Sequence, residues 1–114
     1  MLGPKQPIVR SEAYRRLVAS LPCYRCGIEG YSQAAHADAG KGMGIKTDDL
    51  TVYPLCGERR ETPGCHFVVG RLFTKAERRE FEIAGAAWTQ DHLIMLSGDD
   101  PKLRAVLVKV GLVK

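Results

Sequence analysis

Between residues 23 and 66 the chain reads CYRC (23–26), AAHAD (34–38), GKGMGIK (40–46), TDDL (47–50), PLC (54–56) and GCH (64–66). All four cysteines and two of the three histidines fall inside this stretch. Cys23 and Cys26 have the spacing that lets two sulfurs reach one metal ion from a single turn, and Gly27 permits the tight backbone that such a turn needs. Cys56 and Cys65 are separated by GERRETPG, a polar, turn-rich insert of the kind that loops out. Four thiolates in two groups can close a tetrahedral zinc site, and thiolates committed to zinc are not nucleophiles. The alternative is a set of four buried free thiols.

Outward from the cysteines, the GKGMGIKT loop invites two false matches. A Walker loop needs glycine directly before its lysine and threonine, and Ile45 stands there. A dinucleotide fingerprint needs a hydrophobic strand beforehand, which AAHADA is not. What remains is a backbone able to approach an anion closely, with Lys41 and Lys46 bringing positive charge, or else a plain hairpin loop. His36 follows two alanines on a short extended run, and His66 follows a cysteine expected to hold zinc. Imidazole serves near neutral pH both as a general base and as a metal ligand. His92 falls four residues after Trp88 on an apolar helical stripe and reads as a partly buried structural histidine.

The 114 residues suggest one domain, small enough for a structural metal to help hold it together. A formal charge of +4 favours a polyanionic partner only weakly, because 17 Lys and Arg are offset by 13 Asp and Glu. No apolar run approaches the roughly 20 residues that span a bilayer. The start, MLGPKQP, lacks the apolar core of a signal peptide. A cytoplasmic location with no membrane contact is therefore expected, and there paired cysteines suggest metal rather than disulfides.

Residues 1–10 read as a flexible arm, 11–73 as a zinc-bearing core and 74–114 as a helical extension serving as scaffold. Ser11 caps a helix over 12–20, with Tyr14, Leu17, Val18 and Leu21 on one face and Pro22 beyond it. The runs 32–37 and 50–55 pair as an antiparallel hairpin. Thr62 and Pro63 signal a short helix over 63–69 ending at Gly70. Thr74 and Glu77 form a capping box that opens the longest helix, running to about Leu96. Phe81, Ala84, Trp88 and Met95 form its apolar stripe, with Arg78, Arg79 and Glu82 mostly outside it. Gly85 should cost that helix about 1 kcal/mol relative to alanine. Asp99 or Asp100 caps a last helix carrying Leu103, Val106, Leu107 and Val110 on one face.

The order of CxxC, AH, an acidic residue before an apolar strand, PLC and CH resembles the HNH endonucleases of the ββα-metal fold. The likeness is strongest to small phage and prophage members, including recombination-enhancement nucleases, and covers about residues 11–70. It implies a zinc-stapled ββα-metal core, and with the N-terminal helix and the two C-terminal helices read above the expected fold is α+β. His36 matches the family's general base. Asp49 matches the middle position, usually asparagine, that braces the loop and orients the base, and Asp48 competes for that place. His66 matches a ligand of the catalytic cation, and the four cysteines match the structural zinc site. Many members carry a second cation ligand directly before the base; here that residue is Ala35, and Asp38 is a candidate substitute.

The resemblance implies a metal-dependent DNA endonuclease that uses Mg²⁺, Mn²⁺ or another divalent cation and leaves 5′-phosphate and 3′-hydroxyl ends. Lys41, Lys46, Arg59 and Arg60 are candidate phosphate contacts on double- or single-stranded DNA. No residue marks itself as a reader of bases, so low sequence specificity is expected. The alternatives are a non-catalytic zinc-binding nucleic-acid module on a degenerate HNH fold and a protein-interaction domain.

Overall fold

The computed structural model describes residues 9–37, 49–59 and 61–114. Helix α1, Glu12–Ala19, starts where the Ser11 hydroxyl accepts the Tyr14 backbone N–H at 3.1 Å. That bond satisfies one of the helix's orphan donors, as a serine cap should. Tyr14, Val18 and Leu21 are buried from its apolar face.

Strands β1, Ser32–His36, and β2, Val52–Cys56, pair antiparallel, with Ser32 opposite Cys56 and His36 opposite Val52. A single 3₁₀ turn over Asp49–Thr51 leads into β2. It takes up Leu50, so β2 begins two residues later than the apolar run suggests and extends to Cys56. All of β2 is buried, because the hairpin is covered on both faces. Ala35, Tyr53 and Leu55 pack into one cluster with Cys23, Cys56, Cys65 and Val69. Val52 joins a second cluster with Tyr14, Val18, Leu93, Leu103 and Leu107. Successive strand residues point to opposite faces, so a five-residue strand serves two cores.

Helix α2, Cys65–Arg71, begins later than the sequence predicts. Thr62 is not its cap, and Pro63 lies outside it. The backbones of Arg59 and Thr62 bond each other in both directions, at 3.0 and 2.7 Å, which commits Thr62 to a tight turn. Gly64 takes the cap position instead. A Cβ there would collide with the backbone of Cys56 and Gly57, so the close approach of this turn to β2 requires glycine. Gly70 lies inside the helix and does not end it.

Helix α3, Lys75–Leu96, opens with the expected capping box: the Thr74 hydroxyl accepts the Glu77 N–H at 3.1 Å and Glu77 Oε1 accepts the Thr74 N–H at 2.8 Å. Its buried face differs from the expected stripe. Glu82, Gly85, Ala86, Thr89 and Leu93 face inward, whereas Ala84 is exposed and Met95 is 66% exposed. The cause is close packing. Gly85 sits against Tyr53 and Tyr24, so the contact line follows the residues small enough to let the helix approach β2. Helix α4, Pro101–Lys109, is capped by Asp100, whose Oδ1 accepts the Leu103 N–H at 3.1 Å, and it buries Leu103 and Leu107.

The described residues thus form an α+β fold of four helices around a two-stranded antiparallel sheet. None of these helices is long and apolar enough to cross a membrane.

Candidate metal centre and histidine site

The four cysteines come together from three places. The CYRC turn docks on β2 through the Tyr24 N–H, which donates to the Pro54 carbonyl at 2.8 Å. Gly27, at φ 80°, closes that turn, with its N–H bonded to the Cys23 carbonyl at 2.9 Å. Cys56 ends β2 and Cys65 starts α2. The Sγ atoms of Cys23, Cys26, Cys56 and Cys65 all lie within 4.8 Å of one another, so they can hold a metal ion. Cys26 Sγ and Cys56 Sγ are 3.7 Å apart. Four sulfurs at about 2.3 Å from a central zinc would be spaced about 3.8 Å apart, so the donor set fits that ion.

Hydrogen bonds to sulfur prepare the cluster for negative charge. The Cys26 N–H reaches Cys23 Sγ at 3.5 Å and the Cys65 N–H reaches Cys56 Sγ at 3.3 Å. Burial alone would raise the Cys23 thiol, but hydrogen bonds at the Cys26, Cys56 and Arg25 backbones outweigh it and bring the pKa to about 6. Burial raises Cys56 and pushes Cys65 up to about 12, and neighbouring sulfurs add to both effects. Arg25 Nη1, 3.5 Å from Cys65 Sγ, works against that rise. Four thiolates this close repel one another, and a bound cation relieves the repulsion.

The second centre is built around Asp49, which is only 1% exposed. His36 Nε2 lies 2.9 Å from Asp49 Oδ1. The Ser11 N–H donates to Oδ2 at 2.7 Å, Arg15 Nε is 3.2 Å from Oδ2, and Arg10 Nη1 is 3.9 Å from Oδ1. Burial would raise this carboxyl. The bonds from His36 and Ser11, with the Arg15 charge, overcome it and hold the pKa below the ordinary carboxylate value. An ionised Asp49 only accepts, so Nε2 carries a proton, and in the neutral imidazole the lone pair is then on Nδ1. The carboxylate therefore fixes both the tautomer and the direction of the imidazole.

His36, a third exposed, and His66 on the first turn of α2 line one cavity of about 100 Å³. Ala35, Tyr53, Leu55, Val69 and Gly70 supply its apolar wall, and Arg78 and Glu82 of α3 complete it. His66 also borders a neighbouring cleft of about 350 Å³, with Gln33, Glu58, Phe67 and Arg71. The fold thus brings together His36, Asp49 and His66 from the sequence-predicted set. Arg59 lies apart from the cavity, with its guanidinium 5.4 Å from the centre of the exposed Tyr31 ring. Asp38, Lys41, Lys46, Asp48 and Arg60 lie outside the described residues. His92 is half-buried and stacks on Trp88 at 4.8 Å, matching its structural reading.

The scaffold reading of residues 74–114 needs correction, since α3 contributes two charged side chains to the cavity wall. It also holds the turn that carries Asp49, because Gln90 Nε2 donates to the Leu50 carbonyl at 2.7 Å. Sequence reasoning missed Arg10, Arg15, Arg78 and Glu82. The Glu82 signal was present in its spacing of three and four residues from Gly85 and Ala86. The link from α1 to Asp49 spans 38 residues and has no local signature.

No family model matches the chain, and neither the curated proteins nor the solved structures contain a significant match.

Proposed function

We propose that this chain is a zinc-stapled, divalent-cation-dependent DNA endonuclease of the HNH type, with β1, β2 and α2 as its ββα-metal core. The observation that carries the reading is the buried Asp49 carboxylate at 2.9 Å from His36 Nε2, with His66 on the same cavity. Such a pair leaves His36 Nδ1 as a directed base. Nδ1 takes a proton from water as the water oxygen bonds to phosphorus, the bond from phosphorus to the 3′ oxygen breaks, and that oxygen takes up a proton from a solvent water. A 5′-phosphate and a 3′-hydroxyl result. His66 would hold the catalytic Mg²⁺ or Mn²⁺, which when bound supplies positive charge to the phosphate and the leaving oxygen. Zinc at Cys23, Cys26, Cys56 and Cys65 would fix the end of β2 to the start of α2, and so place His66 against His36.

Arg78 on the cavity wall is suited to a phosphate oxygen, and so are Lys41, Lys46, Arg59 and Arg60 on their charge. The test is plasmid nicking by zinc-loaded protein in Mg²⁺ or Mn²⁺, with and without a chelator. Cation-dependent nicking by the wild type that His36→Ala abolishes is the expected result. A folded, zinc-loaded protein that binds DNA in a salt-dependent way but leaves the plasmid intact would favour the non-catalytic module.

A further inference from the structure

The cleft of about 350 Å³ that adjoins the histidine cavity takes no part in the proposed hydrolysis. Its size falls within the roughly 300–1,000 Å³ of small-molecule sites. Phe67, the Gln33 amide, the Glu58 carboxylate and the Arg71 guanidinium line it. Phe67 stands on the first turn of α2 with its side chain half exposed, forgoing the burial that a core phenylalanine gains. The Arg71 guanidinium lies 5.9 Å from the centre of that ring. A second pairing of exposed ring and arginine, Tyr31 with Arg59, sits close by, since the Tyr31 carbonyl accepts the N–H of the cleft residue Gly57 at 3.0 Å.

Two glycines keep this cleft open. A Cβ on Gly57 would press on Gln33 Nε2 at 2.7 Å, so glycine there lets the amide lie along the wall. Gly70 lines both the cleft and the histidine cavity, and it stands inside α2, where alanine would be the better helix former. A Cβ on Gly70 would meet nothing within 4 Å, and its φ is not positive. Neither packing nor backbone geometry therefore asks for glycine at this position. Bare backbone that the fold does not need suits the close approach of a ligand.

The lining describes that ligand. An exposed aromatic face stacks on any nucleobase. The Gln33 amide both donates and accepts, whereas the Glu58 carboxylate only accepts. Arg71 and Arg59 suit the flanking phosphates. In a duplex the faces of a base are covered by its neighbours and its pairing edge by its partner, so only an unstacked base offers both. Glu58 would repel a phosphate but accepts from an amino group such as cytosine N4, and it opposes the O4 acceptor of thymine.

We infer that this cleft holds one unstacked base of single-stranded DNA, its ring against Phe67 and its amino edge toward Gln33 and Glu58, with cytosine preferred over thymine. This names the substrate form for the nuclease reading and rests on that reading for the cut, but not for the binding.

Fluorescence anisotropy tests it on zinc-loaded full-length protein, with labelled oligo-dC, oligo-dT and a duplex of equal length at one salt concentration and no added Mg²⁺ or Mn²⁺. The wild type should bind the single strands more tightly than the duplex, and oligo-dC several-fold more tightly than oligo-dT. Phe67→Ala should weaken both single strands about tenfold, at wild-type zinc content. Phe67→Leu keeps the apolar bulk without the aromatic face, so it covers an alanine variant that does not fold, and it too should bind more weakly. Glu58→Gln should erase the preference for oligo-dC. Gly70→Leu should melt no lower than wild type yet bind more weakly, because its side chain fills the cleft and not the core. Wild-type affinity for oligo-dC in folded Phe67→Ala or Phe67→Leu overturns the inference, even if the wild type nicks plasmid through His36. Equal affinity of the wild type for duplex and single strand, or no binding of either, overturns it as well. Phe67-dependent binding of single strands with a preference for oligo-dC upholds it, even if no DNA is cut and the nuclease reading falls.

Discussion

His36 and His66 line one cavity, yet the chemistry available to each differs. His36 is tied to Asp49 through Nε2, and no bond to its Nδ1 is formed among the described residues, which suits proton transfer. His66→Ala should weaken the cation, with partial rescue of nicking by excess Mn²⁺. His36→Ala should lower the nicking rate by about 10² to 10⁴ at any cation concentration, the usual range for loss of a general base. Nicking titrated against Mn²⁺ separates the two, and identical curves for both variants would refute the division of roles. Asp49 should show its role in stability as well. Its folded-state pKa lies below the ordinary 3.8, so its contribution is complete above that value and is lost as pH falls through the lower folded one. At neutral pH Asp49→Asn should cost about 1.5–3 kcal/mol, the range for hydrogen bonds to a charged group. Arg10 and Arg15 are about half exposed and add little to this. Urea unfolding of both proteins from pH 7 downward checks it: the gap should close as pH drops below 3.8.

At the scale of elements, α3 meets β2 through a glycine. A Cβ on Gly85 would lie 2.9 Å from Tyr53 Cδ2 and 3.3 Å from Tyr24 Cδ2. Tyr53 is almost fully buried and cannot swing away. Helix propensity favours Gly85→Ala by about 1 kcal/mol, whereas overpacking a core costs about 1–3 kcal/mol. Overpacking should win, and the variant should melt lower than wild type; a higher melting temperature would show that the tyrosine pair yields easily. The second critical junction is between β2 and α2. Cys65→Ser should release zinc and unfold the hairpin with α2, because binding energy at such a site is folding energy. Zinc content and thermal melting report this together, and a serine variant that melts like wild type would remove zinc from the fold.

At the scale of the whole molecule, the two clusters on either face of the hairpin divide the work. One surrounds the thiols and the cavity, and the other joins α1, α4 and the far half of α3. α3 passes through both, carrying Glu82 near one end and His92 near the other. His92→Gln should therefore leave nicking close to wild type while costing about 0.5–1.5 kcal/mol through the lost stack on Trp88. Loss of nicking in a folded His92→Gln protein would mean that the active site extends along the whole helix.

The sequence by itself determined the local features of this protein. The Ser11, Thr74 and Asp100 caps, the CYRC turn closed by Gly27 and the two extended runs depend on bonds between residues a few positions apart. Side-chain type and spacing are sufficient to specify those. The meeting of the four cysteines was legible too, because few arrangements of paired thiols are compact. Tertiary structure decided the rest. Thr62 had a cap's chemistry but lost the role to Gly64, since β2 passes too close for any Cβ. The inward face of α3 was set by which residues let it approach Tyr53, and not by which were most apolar. The anchoring of Asp49 by Ser11 and Arg15, and the placement of Glu82 and His66 on one cavity, join segments far apart in sequence. Such contacts depend on how whole elements pack, which no local pattern of residues encodes.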